Sequence, residues 1–319
     1  MGSTLLERVV RRELLVSDGK SGSQLERGWL DDGSAIVIKH ADIRRDWIMQ
    51  ATGDAGRIAR LWAEGVFEQL PDGIDHAMLE VHQTPSGAVI VMRDVSASLF
   101  STGAHLRSGH RRVLRAAAEV HHAFVDRPVA SLCPLEACYA FLSPSVCARF
   151  ADGHEVPRLA IEGWSRFHDI VADDVVQAIS AIHNDPARLA AELLALPSTL
   201  IHGDLKLANL GEGRGRVIML DWGTLTTWAP PAVDYAWYLA INGAAIGDNH
   251  EQLLHDVRQA AGDGDRTALG FALIGALAQL GWEKALAATA DDEGTRRHER
   301  DGLAWWSAQA RTALERWSP

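Results

Sequence analysis

Apolar and polar positions change their rhythm once along this chain, near residue 95. Before that point, short apolar runs alternate with turn-forming residues. Residues 1–15 alternate charged and apolar positions, which suits a short helix or a first strand. Strand-like segments Glu13–Ser17 and Gln24–Leu30 flank the turn-forming loop Ser17-Asp-Gly-Lys-Ser-Gly-Ser23. Asp31-Asp-Gly33 is a hairpin signal, followed by Ser34-Ala-Ile-Val-Ile-Lys39, a β-branched strand ending in lysine. Residues 42–70 carry a helical pattern interrupted by Gly53 and Gly56. Strands His76–Gln83 and Ala88–Val95 then flank a Pro85-Ser-Gly87 turn. After Ser96, long helical patterns dominate: Gly109–Val125, Pro157–Asp185, Ala187–Leu196, and Val233 to the end with loops near Gly247 and Asp291. Two short strands interrupt them, Ser198–His202 and Arg216–Asp221, with Gly211, Gly213 and Gly215 turning the chain between. The pattern predicts an α+β protein with a small antiparallel β-rich N-lobe, residues 1–95, and a larger, mostly helical C-lobe, residues 96–319, joined by a hinge at 94–97.

Length and composition support this division. A chain of 319 residues, 47% hydrophobic and 23% charged, is long for one core and suits two lobes. The net charge of -11 disfavours nucleic acid as a partner, because a phosphate-binding surface needs a basic excess. The same balance favours a cationic small-molecule partner. Cys133, Cys138 and Cys147 show neither disulfide nor zinc spacing and read as buried small hydrophobes. The most apolar stretch, Leu269–Trp282, is too short to span a bilayer and reads as a buried helix. The first residues show no signal-peptide core, so no membrane partner and a cytoplasmic location are expected.

The chemistry concentrates in His202-Gly-Asp204-Leu-Lys206-Leu-Ala-Asn209 and Leu220-Asp221-Trp-Gly223. Phosphoryl transfer from a nucleotide needs one carboxylate to orient and deprotonate an acceptor hydroxyl. It also needs a second carboxylate, with a neutral amide oxygen, to hold magnesium on the phosphates. Asp204 is the candidate base; Asn209 and Asp221 are the candidate magnesium ligands. Lys206 is placed to stabilise charge on the transferred group. Lys39 at its strand end can neutralise nucleotide phosphates. Ser21, Gly22 and Ser23 let backbone and hydroxyl groups approach them. Glu64, in the helical stretch Arg57–Leu70, is the choice to pair with Lys39, ahead of Glu68 and Asp54. His202 is expected to hold the loop rather than react, and Asp234 to cap its helix or brace the loop. His121 and His122 read as ordinary helix residues. Most of the eleven tryptophans are expected in the core, with Trp305-Trp306 a candidate wall of a substrate pocket.

These motifs resemble a kinase catalytic loop and metal loop, with His-Gly-Asp and Asp-Trp-Gly in place of His-Arg-Asp and Asp-Phe-Gly. The chain as a whole resembles the aminoglycoside phosphotransferase and choline kinase-like family. The resemblance rests on Ile201–Asp204, Asn209, Leu220–Gly223, the Pro231–Asp234 helix start, Lys39, and Val91-Met-Arg-Asp-Val95 as a hinge. It implies a bilobal protein-kinase-like fold that uses ATP and magnesium and binds nucleotide at Lys39 and at the hinge, Met92 to Asp94. One departure is Lys206-Leu207 after Asp-Leu, where the family often has His-Pro.

The expected activity is a small-molecule kinase acting on a hydroxyl of an aminoglycoside, another amino sugar or an alkanolamine. A protein kinase is disfavoured because no Ala-Pro-Glu segment follows Asp221. The alternatives are a kinase-fold nucleotide-binding or scaffolding module with little turnover, and a glycan-binding protein that takes no nucleotide.

Overall fold

The computed structural model describes residues 4–15, 20–247, 249–261 and 266–315. Strands β1 (Val9–Leu15), β2 (Gln24–Leu30) and β3 (Ala35–Asp42) are followed by the short helices α1 (Trp47–Thr52) and α2 (Arg57–Ala63). Strands β4 (Ile74–Asp75), β5 (Met78–Thr84) and β6 (Gly87–Arg93) complete the β-rich part. Then come α3 (Gly103–Ala123), α4 (Leu135–Ala140), α5 (Pro144–Cys147), α6 (Glu155–Ile170), α7 (Asp173–Asn184) and α8 (Pro186–Leu194). Short strands β7 (Thr199–Ile201), β8 (Leu210–Gly213), β9 (Arg216–Met219) and β10 (Thr227–Ala229) precede α9 (Ala232–Ile246), α10 (His250–Ala261), α11 (Arg266–Ala287) and α12 (Glu293–Leu314).

An antiparallel sheet of order β1-β2-β3-β6-β5 forms the β-rich part. Alternation along β3 sorts its side chains between two faces. Ile36 and Ile38 enter a small core with Leu30 and Val91, whereas Ala41 joins the main core from the other face, which Lys39 shares. Lys39 is thus fixed by ladder register, opposite Leu25 on β2 and Ile90 on β6. The main core runs from α1 and α2 through α3 to α12. Apolar α11 lies at its centre, where the sequence places a buried helix, and contacts α6, α9 and α12. Among the described residues no helix is long and apolar enough to cross a membrane.

One expectation is corrected here. The helix expected over Pro157–Asp185 is broken at Val171–Ala172, both extended, and α7 restarts with Asp173 and Asp174 in its first turn. Carboxylates there complement the partial positive charge of a new helix start. Trp306 takes the core place expected of most of the tryptophans. Trp306 is 1% exposed in the core, and Trp305 stacks on His250 and donates to Glu251 Oε1 at 2.5 Å. The three cysteines are free and buried, as expected.

His183 gives the fold a pH dependence. Its Nε2 bonds the Ala278 carbonyl at 2.8 Å and its ring lies edge-on to Trp164 at 4.5 Å. Burial holds its pKa down to about 4, the Ala278 bond raises it, and His168 lowers it further. A histidine depressed on folding contributes stability above its unfolded pKa, near 6.5, that is lost as pH falls through about 4. The stability gap between wild type and His183→Gln is expected to shrink by roughly 3 kcal/mol between pH 7 and pH 4. Urea unfolding across that range checks this; a gap that does not change with pH would contradict it.

Candidate active site

The catalytic-loop motif leaves the core at the end of β7 and returns to it at β8. Gly203 turns the chain with φ 83, so close to the Leu225 carbonyl that a Cβ there would collide with it. Asp204 follows, 8% exposed. Its Oδ2 accepts from Lys206 Nζ at 2.6 Å and from Asn209 Nδ2 at 3.0 Å; Asn209 Nδ2 also reaches the Asp204 carbonyl at 2.9 Å. None of the described residues engages Asp204 Oδ1, and because Asn209 donates through nitrogen its own Oδ1 is left over.

Asp221 lies beyond β9 in a left-handed conformation, φ 67, and is in direct contact with Lys39 Nζ. Burial pushes its carboxyl pKa up, but Lys39 and Lys206 outweigh this and hold it down to about 2. Burial lowers the Lys206 pKa, and Asp204, Asp221 and Asp46 together raise it above the ordinary lysine value. The site therefore pairs two carboxylates with two lysines, Asp221 with Lys39 and Asp204 with Lys206.

Several groups hold the two loops together. His202 Nε2 bonds the Leu220 carbonyl at 2.9 Å, and its Nδ1 accepts from the Asp204 N–H at 3.1 Å. Burial lowers its pKa, so the neutral ring serves both bonds, the holding role expected for it. Asp234, in the first turn of α9, braces the loop: its carboxylate accepts from His202 N at 2.8 Å, Gly203 N at 2.7 Å and His121 Nε2 at 3.0 Å. Burial raises its pKa, but the His121 bond and charge bring it below the usual carboxylate value. Asn242, about two turns further along α9, accepts from Leu207 N and donates to the Leu205 carbonyl, at 2.8 and 2.7 Å.

The remaining expected positions divide. Ser21 and Ser23 fold onto α1: Trp47 N donates to the Ser21 carbonyl at 3.0 Å, and Ser23 Oγ bonds Asp46 Oδ2 at 2.7 Å. Gly22 holds φ 102 against the Arg45 carbonyl. Asp18 and Gly19 of that loop lie outside the described residues. Met92 sits on β6 opposite Val37, and Asp94 pairs with Arg27 at 3.0 Å and accepts from Ser96. Glu64 is a correction. It ends the seven-residue α2 and accepts from Ala130 N at 3.3 Å and from Ser131 Oγ, so it does not meet Lys39. The helix is too short to carry Glu64 back over the sheet, and Lys39 pairs with Asp221 instead.

Sequence reasoning missed His121, Asn242 and Arg57. His121 and Asn242 carried no local signal, since their partners are 113 and about 35 residues away. Arg57 is 3% exposed, and its Nη1 donates to the Thr224 carbonyl at 2.6 Å. An arginine at the start of a helix, away from its favoured C-terminal end, was the available hint.

The antiparallel sheet, the mostly helical remainder and this paired-loop site define a protein-kinase-like fold. The sequence matches the APH phosphotransferase enzyme family over residues 15–272, and the chain belongs to that family. Solved structures agree on the fold. An aminoglycoside phosphotransferase from Alicyclobacillus acidocaldarius aligns at TM-score 0.51 and 16% identity, covering 97% of this chain and 91% of that one. The choline kinase LicA from Streptococcus pneumoniae aligns at 0.53 and 11% identity, covering 95% of each chain. The spectinomycin phosphotransferase APH(9)-Ia, solved with ADP and spectinomycin, aligns at 0.53 and 10% identity, covering 96% and 93%. No curated protein sequence matches the chain. The family is one of phosphotransferase enzymes.

Proposed function

We propose that this protein is an ATP- and magnesium-dependent kinase that transfers the γ-phosphoryl group to a hydroxyl of an aminoglycoside, an amino sugar or a similar small acceptor. The observation that carries this reading is Asp204, whose Oδ2 is held by Lys206 and Asn209 while its Oδ1 stays open. A carboxylate fixed by one oxygen and open at the other can align a hydroxyl and take its proton. The proton passes to Asp204 as the acceptor oxygen bonds phosphorus and the bond to the departing nucleoside diphosphate breaks. Lys206 offsets charge on the transferring group, and Lys39 faces the α- and β-phosphates.

The donor set fits magnesium: Asp221 is ionised, and Asn209 keeps an amide oxygen unused by Asp204. These are the hard oxygen donors, few in number, that this ion combines with phosphate oxygens. When bound, the metal nucleotide supplies the phosphoryl group with its charge partly neutralised. The protein's own acidic balance, -11, supports a cationic acceptor.

A second reading is a nucleotide-binding module with little turnover. Its support is Glu64, which leaves Lys39 without the usual glutamate partner. A transfer screen with ATP and magnesium over aminoglycosides, amino sugars, neutral sugars, choline and macrolides separates the two. Turnover on one group, lost in Asp204→Asn, is the expected result. Magnesium-dependent nucleotide binding without transfer to any acceptor would favour the module instead.

A further inference from the structure

The metal loop has a partner on α2 that the reaction scheme leaves unused. Arg57 opens that helix, 3% exposed, with Asp54 beside it. Asp54 Oδ1 accepts from Gly56 N at 2.9 Å and Arg57 N at 2.5 Å, and its Oδ2 lies 3.5 Å from Arg57 Nη1. The guanidinium then reaches across the molecule. Nη1 donates to the carbonyls of Thr224 at 2.6 Å and Gly223 at 3.4 Å, and Nη2 to that of Thr52 at 3.2 Å. One planar fork thus joins the end of α1, the start of α2 and the two residues that follow Trp222. A lysine ammonium is a single point and cannot span carbonyls in that plane.

The joint bears on Asp221 through the backbone. Asp221 holds a left-handed φ of 67, unfavourable for any residue with a side chain, and such a conformation persists only when its surroundings over-determine it. On the upstream side the catalytic loop does this: Leu220 N donates to the Asn209 carbonyl at 2.8 Å, and Leu220 O accepts from His202. On the downstream side Gly223 N donates to Thr226 Oγ1 at 2.8 Å, and Arg57 holds the carbonyls of Gly223 and Thr224. Gly223 also lies so close to α2 that a Cβ there would sit 2.9 Å from Ile58 Cβ. Arg57 and this close approach tie α2 to the residues that follow Asp221. Glu64, at the far end of the same helix, is turned to Ala130 and Ser131.

We propose that Arg57 is a positioning residue for the metal loop, setting where the Asp221 carboxylate stands toward a magnesium nucleotide. It couples α2 to that loop through backbone carbonyls instead of through a glutamate on Lys39. This inference rests on the proposed function, since it assigns Arg57 a part in holding the same metal nucleotide.

Calorimetric titration of the full chain with ADP, in EDTA and in magnesium, tests it in wild type, Arg57→Lys and Arg57→Met. Magnesium is expected to tighten ADP binding in the wild type. In both variants ADP affinity in EDTA should stay near the wild-type value, while the tightening by magnesium falls about 10–100-fold, the usual cost of losing a group that orients a metal ligand. A lowered unfolding temperature with undiminished tightening by magnesium would overturn the inference alone and make Arg57 a packing residue. If Arg57→Met does not fold, Arg57→Lys, which keeps the stem and charge, carries the test by itself. Wild-type ADP binding that magnesium does not tighten would overturn the proposed function, and the inference with it.

Discussion

Replacing Asp204 by Asn is expected to lower kcat about 10²–10⁴-fold, the range associated with losing a positioned general base. Asparagine has nearly the same shape, and its amide oxygen can still accept from Lys206 and Asn209, as Asp204 Oδ2 does at 2.6 and 3.0 Å. What it lacks is a lone pair basic enough to take the acceptor's proton. The loss should therefore fall on kcat, with KM for ATP and the unfolding temperature little changed. Steady-state kinetics on the acceptor found in the screen, with a thermal melt of the same preparation, check this. A variant that keeps more than about a tenth of wild-type kcat would remove Asp204 from the base role, since such a group contributes at least a hundredfold.

Removing the Asp234 carboxylate should produce the second large effect, this time on stability. Asp234 is 1% exposed and serves three donors: His202 N, Gly203 N and His121 Nε2. Alanine leaves all three without that acceptor in the interior. Each orphaned buried donor costs about 1–3 kcal/mol, so Asp234→Ala should lose on the order of 3–5 kcal/mol. Asp234→Asn should fall between, because one oxygen remains while its NH₂ faces a donor. Transfer activity should fall in both variants, because His202 and Gly203 lead directly into Asp204. Urea unfolding of the three proteins checks the order; a cost below about 1 kcal/mol for Asp234→Ala would mean that another group braces the loop.

Legibility in the sequence followed the range of the interactions. The strand that carries Lys39, which the structure extends three residues further to Asp42, the Asp204 to Asn209 loop and the turn at Asp221 are each written within a few consecutive residues, and the structure brings Lys39 to Asp221 and Asp204 to Lys206 and Asn209. His202 was legible as a holding residue because it adjoins Asp204. Asp234 was left between cap and brace, since a carboxylate in a helix's first turn suits the helix start whether or not it also serves a neighbouring loop. Glu64 was misjudged because position along a helix does not say which way a seven-residue helix is aimed. The break at Val171–Ala172 was missed because both flanking segments carry the same helical pattern.

Alternation, turn residues and motif spacing determined the β-rich and helical parts and the two loops that carry the charged groups, and the motif residues in those loops carried the resemblance to a known family. Tertiary structure decided which helix residue serves the metal loop, what braces the catalytic loop and where Asp221 finds its cation. The reason is physical. Local pattern encodes which face of an element is apolar and where the chain turns. The partners of a buried polar group are set by how distant elements pack: Arg57 meets Thr224 across 167 residues, and Lys39 meets Asp221 across 182.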